Sequence, residues 1–254
     1  MIKFFKTFLS YFLFILVVNN LGAFENKNTK SIVKFKIVSV ASIQNDSSFL
    51  ELKYSEIFNL FEKENYPLAL ENALDFLDYC QQLDDKYWTY KVAYLIANMY
   101  DRTNKYRQSL KYYKLSLDQL KLYRLDNKEI KFKNTELAES MLKIGSNYHK
   151  ISLSINLKVK LNFKDSIKLL NEKSYYLDSA KSYYKRLENF HQFNSEIENL
   201  KAKAYSNLSS IYEQGLSYDK AEYYINLAIK IHKKNNNYLS QAKSLNNLGN
   251  IFLG

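Results

Sequence analysis

The sequence predicts an all-α fold, a solenoid of antiparallel helix pairs, on three observations. Pro occurs once and Gly five times in 254 residues. Proteins made of strands and tight turns need both residues at their turn positions. Hydrophobic residues make up 46% and aromatic residues 16% of the chain, too much for disorder. Finally, residues 201–212 (KAKAYSNLSSIY) repeat as residues 241–252 (QAKSLNNLGNIF), an offset of 40 residues that fits two helices and their turns.

From the start of the chain, Lys3 and Lys6 precede the apolar run 8–18 (FLSYFLFILVV), which is followed by the short segment 19–23 (NNLGA). This is the layout of a secretory signal peptide with cleavage after Ala23. The apolar run is short for a membrane span, which needs about 20 residues. An uncleaved N-terminal anchor is the alternative and the only route to a membrane. Residues 24–47 form a polar lead-in whose stretch 32–38 alternates like a short strand. Ser48 and Glu51 have the spacing of a capping box, so the repeat domain is expected over 48–254.

Within that domain one phrase recurs: Ile96-Ala97-x-x-Tyr100, Ile144-Gly145-x-x-Tyr148, Leu208-Ser209-x-x-Tyr212 and Leu248-Gly249-x-x-Phe252. Positions four apart share a helix face, so the aliphatic and the aromatic fill a seam. The small residue between them lets a neighbouring helix come close. A second phrase, Tyr218-x-x-Ala221-x-x-Tyr224-Ile225-x-x-Ala228, matches Tyr106-x-x-Ser109-x-x-Tyr112-Tyr113-x-x-Ser116 and, more weakly, the stretch from Tyr66 through Ala73. Pro67 there suits the first turn of a helix. Tyr112, Tyr113, Tyr183, Tyr184 and Trp88 are expected to pack, and Cys80 to be a buried small hydrophobe.

These phrases resemble the tetratricopeptide repeat, in the longer variants of kinesin light chains and bacterial peptide-sensing regulators, and the resemblance implies a right-handed superhelical solenoid. The resemblance covers roughly 50–252, as four helix pairs and a final half-repeat. Extra residues fall at 151–173, either a longer hairpin or a binding loop. Gly249 at a small seam position with no second helix after it reads as an incomplete last repeat; a terminal cap is the alternative. Leu245, Leu248 and Phe252 are expected to pack on the helix before them, and Gly145, Ala221 and Ala228 to sit at tight helix contacts.

The resemblance implies a protein- or peptide-binding scaffold with a groove lined by the first helix of each pair. Groove candidates are Lys91, Tyr94, Asn98, Lys203, Ser206, Lys243, Asn246 and Asn250, together with Glu139, Leu142, Ser146 and Ser210. Their Lys and Asn side chains suit a peptide's carboxylate or backbone. A leader followed by such repeats also resembles the outer sensor region of a membrane-bound histidine kinase or transcriptional regulator. A cytoplasmic peptide sensor is the reading if 1–23 is not a leader.

Enzyme, cofactor and metal functions find no support in the sequence. It has no phosphate-binding glycine loop and no nucleophile elbow. His149, His191 and His232 stand far apart, without partners at metal-ligand spacing. Net charge is +11, but Lys is spread over every helix face and Arg is scarce, so no nucleic-acid partner is expected.

Overall fold

The computed structural model describes residues 47–127, 134–155, 163–190 and 194–253. The readings on residues 1–46 and on His191 lie outside these. The described residues form nine α-helices and no strand: α1 (Ser47–Glu62), α2 (Tyr66–Gln82), α3 (Lys86–Arg102), α4 (Tyr106–Asp126), α5 (Asn134–Ser154), α6 (Phe163–Arg186), α7 (Ser195–Gln214), α8 (Tyr218–Lys234) and α9 (Tyr238–Leu253). A 3₁₀ turn, Leu187–Asn189, follows α6. From Leu50 onward they belong to one compact unit in which consecutive helices pack in pairs. None of the described helices is long and apolar enough to cross a membrane. The fold is the expected all-α array of helix pairs.

The repeat length comes from one turn used five times. Glu64, Asp84, Asn104, Leu216 and Asn236 all have φ between 52° and 58°. Each sits in the middle of a three-residue connection. At each, the left-handed residue donates its N–H to the carbonyl three back, and the next residue donates to the carbonyl five back, as in Asn104→Asp101 (3.1 Å) and Lys105→Tyr100 (2.8 Å). This is the Schellman closure of a helix end. Helices α2, α3 and α8 each have 17 residues, so a helix and its turn recur every 20 residues and a pair every 40. The turn places a side chain where glycine is the usual choice. Asn104 and Asn236 soften the conflict, and their side-chain oxygens accept from the hydroxyls of Tyr106 (2.6 Å) and Tyr238 (3.4 Å). Leu216 gains nothing comparable and is 73% exposed.

Helix starts follow their sequence signals, with one shift. Pro67 lies in the first turn of α2, and Asp85 caps α3 by accepting from Trp88 N–H at 2.9 Å. Helix α1 begins at Ser47, one residue before the expected cap, so Ser48 lies within its first turn. The stretch 151–173 divides. Residues 151–154 finish α5, 163–173 open a 24-residue α6, and 156–162 lie outside the described residues.

Pairs are held by the small-residue seam. Ser109 Oγ of α4 donates to the Ala97 carbonyl of α3 at 2.9 Å, and Ser209 Oγ of α7 donates to the Ala221 carbonyl of α8 at 2.8 Å. A Cβ on Gly145 of α5 would lie 2.7 Å from Cε1 of the fully buried Tyr184 of α6. Beside each seam two tyrosine rings meet: Tyr100 with Tyr112 (centroids 5.6 Å), Tyr148 with Tyr183 (5.8 Å) and Tyr212 with Tyr224 (5.5 Å). Such ring pairs contribute about 0.5–1.5 kcal/mol beyond the area they bury. Ala221 and Ala228 are fully buried, as expected of tight contacts.

Helix α9 departs from the expectation. Leu248 and Ile251 pack with Ala221, Ile225, Tyr218 and Ile229 of α8. Leu245 is instead 48% and Phe252 66% exposed. The stripe of Ser244, Leu248 and Ile251 is one residue out of step with that of Leu245, Gly249 and Phe252, and one residue turns a helix by about 100°. Gly249 has nothing within 4 Å of where its Cβ would be.

Two expectations follow. Leu216→Gly should raise stability by about 1 kcal/mol, because relief of the left-handed strain exceeds the entropy glycine adds to the unfolded chain. Urea denaturation measures this, and a loss of stability would place Leu216 outside that conformation. Gly145→Ala should cost about 1–3 kcal/mol by overpacking against Tyr184. Gly249→Ala, at the same place in the motif but in open space, should stabilise by up to about 1 kcal/mol. Equal signs for the two substitutions would refute the seam assignment.

Candidate functional site

The first helices α3, α5 and α7 are joined by polar side chains, and α1 meets α3 through the rings of Tyr54 and Trp88. Tyr90 of α3 donates to Glu136 of α5 (3.3 Å), and Tyr94 donates to Glu139 (2.7 Å). Lys150 of α5 pairs with Asp101 of α3 at 2.6 Å. Between α5 and α7, His149 Nε2 and Gln214 Nε2 are 3.4 Å apart. Most of these groups are half-buried and therefore remain within reach of solvent.

Helical spacing explains the α3 part of this face. Tyr87, Lys91, Tyr94 and Asn98 follow one another at intervals of four, three and four residues, which puts them on one stripe. The Lys91 ammonium lies over three rings: Tyr54 of α1 (4.9 Å), Tyr87 (5.3 Å) and Trp88 (5.4 Å). Cation–ring attraction of this kind contributes about 0.5–2 kcal/mol. Among the described residues Lys91 forms no ion pair; its polar contact is with the Tyr87 hydroxyl at 3.4 Å.

Burial sets the protonation of the face. It pushes the Tyr54 hydroxyl up to about 12, with Tyr87 adding to the effect. Tyr90 and Tyr94 are pushed up by burial and then by Glu136 and Glu139 respectively. Both stay neutral donors. Burial lowers the Lys143 ammonium against the pull of Asp101 and Glu139. It also lowers His149 and His232, the latter with help from Lys203. Elsewhere it raises the Cys80 thiol to about 12, in keeping with a packed and unreactive sulfur.

The structure brings part of the expected groove together. Tyr94 and Glu139 meet at the α3–α5 junction, while Lys91 lies against Tyr54 at the α1–α3 junction. Asn98 is beside them but committed: it donates to the Tyr94 carbonyl (3.1 Å) and accepts from the Tyr113 hydroxyl (2.6 Å). Leu142 is buried, and Ser146 is half-buried on α5. Lys203 and Ser206 are carried by α7, two first helices further along. Lys203 is exposed, and Ser206 bonds back to the Ala202 carbonyl at 3.1 Å. Ser210 accepts from Gln214 at 3.2 Å. Lys243, Asn246 and Asn250 are exposed on α9. Sequence reasoning did not find the ring box of Tyr54, Tyr87 and Trp88 around Lys91, nor the acceptor Glu136. The signal available was Tyr87-Trp88 standing four and three residues before a lysine on the same face.

No family model matches the sequence, and no curated protein matches it significantly. Among solved structures, the chain is similar to the crystal structure of BtubC (BKLC) from P. vanneervenii. The TM-score is 0.50 at 17% identity, over 88% of this chain and 80% of that one. At that identity the likeness speaks for the helical architecture alone.

The lowered His149 has a pH consequence. Its unfolded value is about 6.5, so below that pH the unfolded chain takes up a proton that the buried ring resists. Stability from this site is complete above about 6.5 and is lost as the pH falls below that value towards the lowered pKa of the folded ring. Denaturant titrations across this range should show a shallower pH slope for His149→Gln than for the wild type. Identical slopes would assign the pH dependence to other groups.

Proposed function

We propose that the chain is an exported scaffold of the tetratricopeptide type that binds a protein or peptide segment along the face formed by its first helices. The observation that carries this reading is the polar stripe of α3, which meets both α1 and α5. A lysine that forms no ion pair among the described residues lies over three rings, and two tyrosines of the same helix donate to glutamates of α5. Fixing a long lysine over aromatic rings removes most of the entropy a ligand would otherwise have to remove, so a carboxylate meets a prepared cation. Glu136 and Glu139 are acceptors for backbone N–H groups once the tyrosine hydroxyls turn away. The repeat phrases supply the family resemblance, and the Lys3/Lys6, 8–18 and Ala23 layout supplies the reading of export.

The test is affinity capture from the extracytoplasmic fraction with the mature chain and its Lys91→Glu variant, read by mass spectrometry. The expected result is a protein enriched at least about tenfold by the wild type and absent with Lys91→Glu, whose circular dichroism is unchanged. Capture of the same proteins by both would overturn the groove assignment. Intact mass should begin near Phe24, and a protein retaining Met1 would overturn export.

A further inference from the structure

Beside α7, helix α6 carries a polar stripe. Asp178, Lys181, Ser182, Lys185 and Arg186 follow at intervals of three, one, three and one residues, which keeps them on one side of the helix. With Asn189 of the 3₁₀ turn they wall a cavity of about 460 Å³, and its remaining lining residue is Tyr212 of α7. That volume falls within the roughly 300–1,000 Å³ of small-ligand sites. The walls are unevenly charged. Lys181 pairs with Asp178 at 2.7 Å. The Arg186 guanidinium lies on the ring of Tyr183, 4.7 Å from its centroid. Lys220 of α8 lies 5.6 Å from the centroid of Tyr212, the ring that Lys181 approaches at 5.9 Å. Among the described residues Lys185, Arg186 and Lys220 form no ion pair. All three are exposed, so a ligand reaches them from solvent. Four cations (Lys181, Lys185, Arg186, Lys220) against one carboxylate (Asp178) leave a surplus of three positive charges. Glu188 does not line the cavity; its charge falls on Tyr205 and Tyr224, whose hydroxyls burial and then Glu188 push up.

Like charges gathered in one place repel unless something offsets them. The rings of Tyr183 and Tyr212 offset part of the repulsion, and a bound anion would offset the rest. The donors define that anion. Arg186 presents a planar fork, the lysines are point charges, and Ser182 and Asn189 add neutral donors. A carboxylate offers two oxygens and one charge. A phosphate monoester offers three acceptor oxygens and nearly two charges at neutral pH, which suits both the surplus and donors arriving from two helices. We propose that the cavity between α6 and α7 binds a soluble phosphate monoester. Lys185 and Arg186 from one side and Lys220 from the other take the phosphate, and the group that bears it lies against Tyr212. That ring is a fixed platform, because its stack on Tyr224 holds it. The site shares no residue with the Lys91 stripe, so it stands or falls independently of peptide binding there.

The test is isothermal titration of the full chain with phenyl phosphate, with phenyl sulfate as the singly charged comparison. One saturable site is expected, with a Kd below about 1 mM. Phenyl sulfate should bind at least about tenfold more weakly, and phenyl phosphate should weaken as the pH falls below about 6, where it loses its second charge. Lys185→Gln combined with Arg186→Gln should weaken binding at least about tenfold, and Lys220→Gln on the neighbouring helix at least about threefold, with unchanged circular dichroism. Lys230→Gln combined with Lys233→Gln removes the same charge from exposed positions of α8, 10 and 13 residues beyond Lys220. These lie roughly 15–20 Å along the helix, beyond the screening length, and the pair should change binding by less than about twofold. Equal losses in the two double variants would assign binding to net charge and overturn the site. Absence of saturable binding overturns it, and so does equal affinity for phenyl sulfate. Flotation of the chain on vesicles containing phosphatidic acid that phenyl phosphate does not reverse would make the surface a lipid contact and reject a soluble ligand.

Discussion

How closely two helix backbones can approach governs this molecule. An ordinary pair is kept 8–10 Å apart by the side chains between them. Where Ala97 or Ser209 stands at the crossing, a serine hydroxyl reaches the backbone of the other helix, and where Gly145 stands, the missing Cβ makes room for the ring of Tyr184. That contact decides which residues flank it. The neighbouring rings must lie face to face or tilted, and so Tyr100, Tyr148 and Tyr212 find tyrosine partners. With the second helices fixed on one side, the first helices are left to meet one another through polar side chains on the other. That polar face is thus a by-product of the seam.

The helix array was legible in the sequence wherever backbone proximity dictates residue size. The motif positions of Ala97, Gly145 and Ser209 could be read directly, because few residue types are tolerated at a close crossing. The turns were not legible. The usual mark of a left-handed helix end is glycine, and this chain uses Glu64, Asp84, Asn104, Leu216 and Asn236 instead. Gly215, the one glycine near such a turn, stands a residue before the left-handed position and would mislead by one step. The orientation of α9 was missed for a related reason. Apolar residues fall on two adjacent stripes of that helix, and periodicity alone does not say which one faces α8.

The groove was half legible. Lys91 and Tyr94 could be placed on one stripe of α3 from spacing within a helix. Their partners could not, because Tyr94 and Glu139 are 45 residues apart and meet only through the stacking of two pairs. The extra length between those pairs, a 21-residue α4 followed by a longer connection, breaks the simple 40-residue count that would have aligned them. Polar cross-helix bonds also leave a weak imprint on sequence, since tyrosine, glutamate and lysine all serve equally well on a solvated face.

The position of the single tryptophan has an experimental consequence. Trp88 is 8% exposed and lies against Tyr54 of α1, Phe76 of α2 and Tyr87 of α3, at the amino-terminal end of the described array. In a linear array each unit touches only its neighbours, so stability is a sum of local terms and the ends can open separately. Indole emission therefore watches the first three helices and is blind to α8 and α9. Backbone circular dichroism averages over all nine. A melt followed by both signals is a measurement of cooperativity: coincident curves mean that the array unfolds as a single unit, and separated curves give the order in which its two ends come apart.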